Sequence, residues 1–175
     1  LRADAERVLR DWLPADAAQQ GLRAQYLEFL AEHPDAMLRT NRIGHLTAST
    51  LVVDEDRARV LLTLHPKVGR WIQLGGHCEP GDGSLRAAAI REAVEESGLS
   101  EVSVSAQPID LDRHPVRCGD GMSEHLDVRY LGVVANDSVP TISEESLDLR
   151  WFALDDMPEL DAGTRRMVDV VVNGG

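Results

Sequence analysis

The sequence predicts a mixed α/β (α+β) sandwich, a mixed β-sheet flanked by helices and preceded by an N-terminal helical arm. Three observations carry this. Residues 1–40 show apolar positions repeating every three to four residues. The middle of the chain is a series of short β-branched, apolar segments without the regular strand–helix alternation of a parallel α/β fold. One strongly helical stretch, 84–97, interrupts that series directly after a glycine-rich run.

The elements follow in order. Val8, Trp12 and Leu13, then Leu22, Tyr26, Phe29 and Leu30, mark two helices; Pro14 divides them and Pro34 ends the second. This helical segment, 1–40, reads as an arm packed on a main domain at 41–175, with a dimerisation arm as the sharper alternative. Segments 45–53 and 59–64 read as strands joined by a turn at Asp54-Glu55-Asp56-Arg57. The run 75–83 reads as a loop leading into the helix 84–97, with Ala87, Ile90 and Val94 as its anchoring face and Gly98 as its left-handed cap. Strands are expected at 102–105, 109–113, 125–134 and 150–152, a turn at 155–158, and a closing helix at 164–172.

Composition narrows the function. A chain of 175 residues with 43% hydrophobic and 27% charged residues can bury a core and is not a disordered segment. No run of about 20 apolar residues is present, so no transmembrane helix and no membrane partner are expected. The formal net charge of −12 argues against a nucleic-acid polymer as partner, because that affinity rests on cations neutralising phosphates. It also means that an anionic substrate needs a metal ion or a local basic patch. Cys78 and Cys118 lack metal-binding spacing and read as reduced thiols in a cytoplasmic protein. The charged start, Leu1-Arg2-Ala3-Asp4, does not read as a signal peptide.

The chemistry concentrates in Arg91-Glu92-Ala93-Val94-Glu95-Glu96-Ser97-Gly98-Leu99. On a helix, Glu92, Glu95 and Glu96 share one face, where like charges cost a few tenths of a kcal/mol per pair. Arg91, four residues before Glu95, offsets part of that charge. A carboxylate trio beside Gly75-Gly76, whose backbone can approach a ligand closely, fits a hard divalent ion such as Mg²⁺. The plain alternative, a solvated acidic helix face, would suffice for the carboxylates alone but does not account for the glycines.

Gly75-Gly76-His77-Cys78-Glu79-Pro80-Gly81-Asp82 followed by 91–99 resembles the Nudix box, G-x5-E-x7-R-E-U-x-E-E-x-G-U, here spanning 76–99. Weaker likeness extends over 45–158. The sequence departs from the pattern in four places. The first acidic position of the pattern falls on Asp82, and eight residues rather than seven separate it from Arg91. Asp82, or Glu79 in its place, is expected to brace Arg91. Ala93 stands where the family has a bulky aliphatic, and Leu74 where many members have Pro.

The resemblance implies a Nudix-type sandwich and a Mg²⁺- or Mn²⁺-dependent pyrophosphohydrolase acting on a small nucleoside diphosphate derivative. It implies Gly76, Glu92, Glu95 and Glu96 as metal ligands, with Glu92 a ligand or the general base and Arg91 a catalytic-site residue. A further carboxylate from a loop before a late strand falls on Glu145, with Glu144 as the near alternative. Homodimers are common in the family. Arg70, Lys67 and His77 are candidates for substrate phosphate. His45, His65, His114 and His125 read as surface or hydrogen-bonded histidines, Trp71 as packing under the loop, and Cys78 as no nucleophile. Two alternatives stand beside the hydrolase. The isoprenoid-diphosphate isomerase branch usually adds an upstream Cys-His motif that this sequence lacks. A catalytically silent ligand sensor or interaction module would have no need for the repulsion among Glu92, Glu95 and Glu96.

Overall fold

The protein is described by a computed structural model covering residues 1–118 and 121–173; the side chain of Cys118, and so its expected free thiol, lies outside the described residues. The chain forms α1 (Arg2–Asp11), α2 (Ala17–Glu32), β1 (Gly44–Asp54), β2 (Arg59–His65), β3 (Arg70–Ile72), β4 (Leu74–His77), α3 (Leu85–Ser97), β5 (Ser103–Val104), β6 (Asp110–Cys118), β7 (Gly121–Val134), β8 (Asp148–Ala153) and α4 (Ala162–Asn173). The sheet runs β3-β2-β1-β7-β5, with β4 also on β1, β6 on β7 and β8 on β2.

β1 is the spine. All eleven of its residues are buried, as expected of a β-branched strand covered on both faces. It pairs in parallel with β7 from Gly44↔Glu124 to Asp54↔Val134. Along its other edge it pairs antiparallel with β4 and then β2. Strand alternation sends its even-numbered residues to one face and its odd-numbered residues to the other. Leu46 and Ala48 pack with Leu126, Val128 and Tyr130 against α1, α2 and α3. Leu51 and Val53 pack with Val60 and Leu62 against Met167, Val168 and Val171 of α4.

Two helix ends have local causes. Ser84 caps α3, its Oγ accepting from the Ala87 N–H at 3.0 Å. Gly98 closes it in the left-handed region at φ 64°, which a side chain would resist. Across that helix the buried positions include Ala88, Ala89, Ala93, Glu92 and Glu96, whereas Ala87, Ile90 and Val94 are half-buried. The anchoring face is thus rotated by about one residue from the sequence expectation. Small side chains at 88, 89 and 93 let the helix lie close to the sheet, and Ala93 fills its place beside Val52, Leu61 and Leu74.

Three other expectations are corrected. Part of the expected loop, Gly75 to His77, is strand β4, recruited by β1 through Thr47↔His77 and Ser49↔Gly75. The β6–β7 hairpin is longer than 109–113 and 125–134, continuing through pairs such as Val116↔Ser123. Its Pro115 is tolerated because β6 pairs on one side only. Trp71 does not pack under the loop: it sits on β3 with its ring edge-on to Phe152 at 4.8 Å.

The arm shares the main core. Tyr26 is fully buried, and its hydroxyl donates to the Asp112 carbonyl at 2.7 Å, with the Asp127 carbonyl 3.1 Å away. Gln19 bridges to Leu111, accepting its N–H and donating to its carbonyl. Tyr26→Phe keeps the ring and leaves buried carbonyl capacity unmet, so it should lower unfolding free energy by about 1–2 kcal/mol. Urea denaturation checks this, and an unchanged midpoint would mean that α2 is not held through this contact.

Candidate active site

Arg91 organises the loop, strand β4 and helix α3. Its five N–H groups meet five acceptors. Nε and Nη2 clasp the two oxygens of Asp82 at 3.1 and 3.0 Å, and Nη2 also reaches the His77 carbonyl at 2.8 Å. Nη1 bonds Glu92 at 2.9 Å and Glu95 at 3.0 Å. Asp82 therefore does brace Arg91 despite the extra residue in the loop. Glu79 contributes its backbone N–H to Asp82 at 2.7 Å. Burial alone would raise the Asp82 carboxyl, but Arg91 and the Glu79 N–H more than offset it and hold it below its usual value. Arg91 is in turn held more firmly protonated, first by Asp82.

The three glutamates differ in setting. Glu95 is mostly exposed, with 58% of its side chain accessible. Glu92 and Glu96 are buried. Glu92 lies against Gly76 so closely that a Cβ there would fall 2.8 Å from Glu92 Oε2. Glu96 accepts the Gly75 N–H at 2.9 Å. Burial raises both carboxyls, that of Glu96 to about 7, and the neighbouring negative charges add to it. Arg91 answers Asp82, Glu92 and Glu95, whereas the polar partner described for Glu96 is an uncharged N–H. The donor set and its excess of negative charge fit a hard divalent cation.

The remaining candidates are distributed around this centre. Glu145 is exposed, yet its charge is felt at both Glu92 and Glu96. Lys67 is exposed in the β2–β3 turn and Arg70 at the start of β3. The His77 ring is stacked on His45 with centroids 5.1 Å apart, and the Lys67 charge acts on it. Cys78 is buried, and burial followed by the charges of Asp82 and Asp127 pushes its thiol up to about 12, which leaves no thiolate for nucleophilic work. A groove lined by Gly98, Leu99, Val133, Val134 and Ser138 lies just beyond the C-terminal end of α3 and includes none of these carboxylates.

Sequence reasoning missed a polar stripe on the odd-numbered face of β1. Thr47 and Ser49 donate to the buried Asp127 at 3.0 and 2.7 Å. Arg129, also buried, pairs with Asp127, Asp112 and Asp110 at 2.9, 3.1 and 3.3 Å. Arg166 of α4 secures Asp110 and Asp112 from outside. His45 and His125, expected at strand edges, are instead side by side in the central pairing and gathered with His77. Alternation along each strand was the available signal; the parallel β1–β7 register, which no local pattern encodes, brings the pieces together.

A model of the NUDIX domain matches residues 44–171. No curated protein sequence matches the chain. Several solved structures are similar. A NUDIX-family hydrolase from Clostridium perfringens is 24% identical over 74% of this chain and 96% of that one, with a TM-score of 0.61. A MutT NUDIX hydrolase from Burkholderia pseudomallei is 25% identical over 71% and 95%, with a TM-score of 0.54. The NUDIX domain of Shewanella oneidensis NrtR, complexed with ADP ribose, is 22% identical over 84% and 96%, with a TM-score of 0.59.

Removing Arg91 strands Asp82 and loosens Glu92. Arg91→Ala should cost about 2–4 kcal/mol, near the range for a buried pair that loses one partner. The Asp82 part has a definite pH sign. Its folded carboxyl titrates below the usual 3.8, so its contribution is full above that value and is lost as pH falls further. The stability gap between wild type and Arg91→Ala should be wide at neutral pH and should narrow below about pH 4. Denaturant titrations at both pH values test this; a gap that widens in acid would contradict the assignment.

Proposed function

The chain belongs to the Nudix family and is a hydrolase of phosphorus-containing acid anhydrides, and from that premise we propose that it cleaves a phosphoanhydride bond in a nucleoside diphosphate derivative with Mg²⁺ or Mn²⁺. The observation that carries the reading is the meeting of buried Glu92 and Glu96 on Gly75-Gly76, where the missing side chain of Gly76 lets the Glu92 carboxylate lie against the backbone and Glu96 accepts the Gly75 N–H. Glu92, Glu95 and Glu96 with the Gly76 carbonyl would hold the metal, and Glu145, whose charge acts on Glu92 and Glu96, would complete the set, with Glu144 as the near alternative.

A divalent ion bound there supplies charge to the phosphate oxygens and acidifies water. The protein's own groups do the rest. Arg91 fixes Glu92 and Glu95 and ties them to the loop. A carboxylate of the set accepts the proton of the attacking water, and burial raises proton affinity at Glu92 and Glu96 toward what that task requires. Arg70 and Lys67 supply local positive charge for phosphate in a protein of net charge −12. ADP ribose, seen with the similar NrtR domain, is a nucleoside diphosphate derivative and supports the substrate class. The main domain proposed for this work is 41–175, with 1–40 as its helical arm, and the substrate is a small molecule.

Phosphate release from a panel of nucleoside diphosphate derivatives, with and without Mg²⁺ or Mn²⁺, identifies the substrate. Glu95→Gln and Glu96→Gln should each lower turnover roughly 10²–10³-fold, the usual cost of losing a catalytic electrostatic group, with circular dichroism unchanged. Wild-type rates in both variants at saturating Mg²⁺ would remove them from the ligand set. Titration calorimetry with a non-hydrolysable analogue should show much tighter binding with Mg²⁺ than in EDTA; equal affinity would favour a ligand sensor.

A further inference from the structure

We propose that His45, His77 and His125 form a second metal site, an imidazole cluster suited to Zn²⁺ or a similar late transition ion and chemically distinct from the carboxylate centre. One potential ligand nitrogen from each lies within 4.8 Å of the others. Their rings stand 4.9–5.2 Å apart between centroids. The cluster is built by the sheet: His45 and His125 are register partners on β1 and β7, and His77 comes from β4, two residues along β1 from His45 through Thr47↔His77.

A second observation points to a ligand. His45 is fully buried, and among the described residues neither of its ring nitrogens has a well-formed hydrogen bond, although the Asn41 backbone lies near enough to favour its protonated form; the buried Nε2 of His77 has no partner there either. Buried polar nitrogens without partners are costly and rare. An ion can take one nitrogen from each ring, so it would satisfy two of these three atoms and leave the other His45 nitrogen to a separate partner.

The chemistry of the donors selects the ion. Neutral imidazoles suit Zn²⁺, Ni²⁺ or Cu²⁺, whereas Mg²⁺ prefers oxygen. Burial holds His45, His77 and His125 uncharged, His77 down at about 4 and His125 at about 3. A tetrahedral Zn²⁺ needs nitrogens about 3.4 Å apart, given bonds of about 2.0–2.1 Å, so nitrogens as far as 4.8 Å apart must close by up to about 1.4 Å. Arg39 and Lys67 act against a cation here, whereas Asp127 favours positive charge at His125. His114, hydrogen-bonded through Nδ1 to Asp112 at 2.7 Å, borders His125 with ring centroids 5.6 Å apart. It marks the partly exposed side of the cluster, where a fourth ligand from water can enter.

The test uses the full chain with Co²⁺ and Zn²⁺ as probes. Metal-stripped protein titrated with Co²⁺ should develop visible absorption of a four-coordinate site, saturating at one equivalent, displaced by Zn²⁺ and not by Mg²⁺. Glu95→Gln and Glu96→Gln should keep that signal. His45→Gln and His125→Gln should weaken Zn²⁺ binding by at least about 10–100-fold, the cost of losing even an outer partner of a metal ligand. X-ray absorption on zinc-loaded wild type guards against variants that fail to fold: a first shell with three imidazole nitrogens supports the site. Absence of the cobalt signal, its survival in folded His45→Gln and His125→Gln, or an all-oxygen shell would overturn it. None of these readouts depends on hydrolysis, so failure here leaves the hydrolase reading standing and the reverse also holds.

Discussion

The structure around the carboxylates depends on one guanidinium. Arg91 uses every donor it has, and its acceptors come from the loop (Asp82), strand β4 (the His77 carbonyl) and its own helix (Glu92 and Glu95). A lysine at this position could present charge but not a planar fork to Asp82 together with three further acceptors. Because Asp82 is itself buried, the clasp works at reduced solvent screening, and the loop is fixed where the helix begins.

The second constraint is alternation on β4. Consecutive residues of a strand face opposite ways. Gly76 faces Glu92, and its neighbour His77 carries its ring to the opposite side of the sheet, toward His45 and His125. The carboxylate centre and the imidazole cluster are thus separated by a sheet rather than by distance along the chain. The odd-numbered face of β1 changes character along its length: His45, Thr47 and Ser49 are polar, whereas Leu51 and Val53 belong to the α4 core. Within the polar half Thr47 and Ser49 are satisfied by Asp127, which accepts from both hydroxyls and from Arg129.

What the sequence made legible was local. The spacing of Glu92, Glu95 and Glu96, the Gly98 cap and the Asp82–Arg91 relation all act within one helix and its leading loop, where residue spacing translates directly into geometry. The helix existed where periodicity placed it, but its buried face was misjudged because alanines carry little hydrophobic signal while serving as contact points. The short strands β3 and β4 were hidden among glycines and became strands only because β1 and β2 offered edges. His45 and His125 could not be joined from sequence, since their proximity arises from a parallel pairing between distant segments.

That parallel pairing governs how the chain can come into being. Thr47 and Asp127 are 80 positions apart yet adjacent on the sheet. During synthesis at about 5–20 residues per second, β1 waits on the order of 4–16 s for β7 to emerge. In that interval it can zip only with β2 and β4, and its other edge stays bare, a row of unpaired amides on an apolar strand. The N-terminal helices wait longer than β1 does, since Gln19 docks on Leu111, 92 positions away. Such long-range closure makes for slow folding and late commitment. A nascent chain stopped short of β7 could gather α3 on the sheet around Val52, Leu61, Leu74 and Ala93, but β1 would keep one edge bare for pairing with another chain.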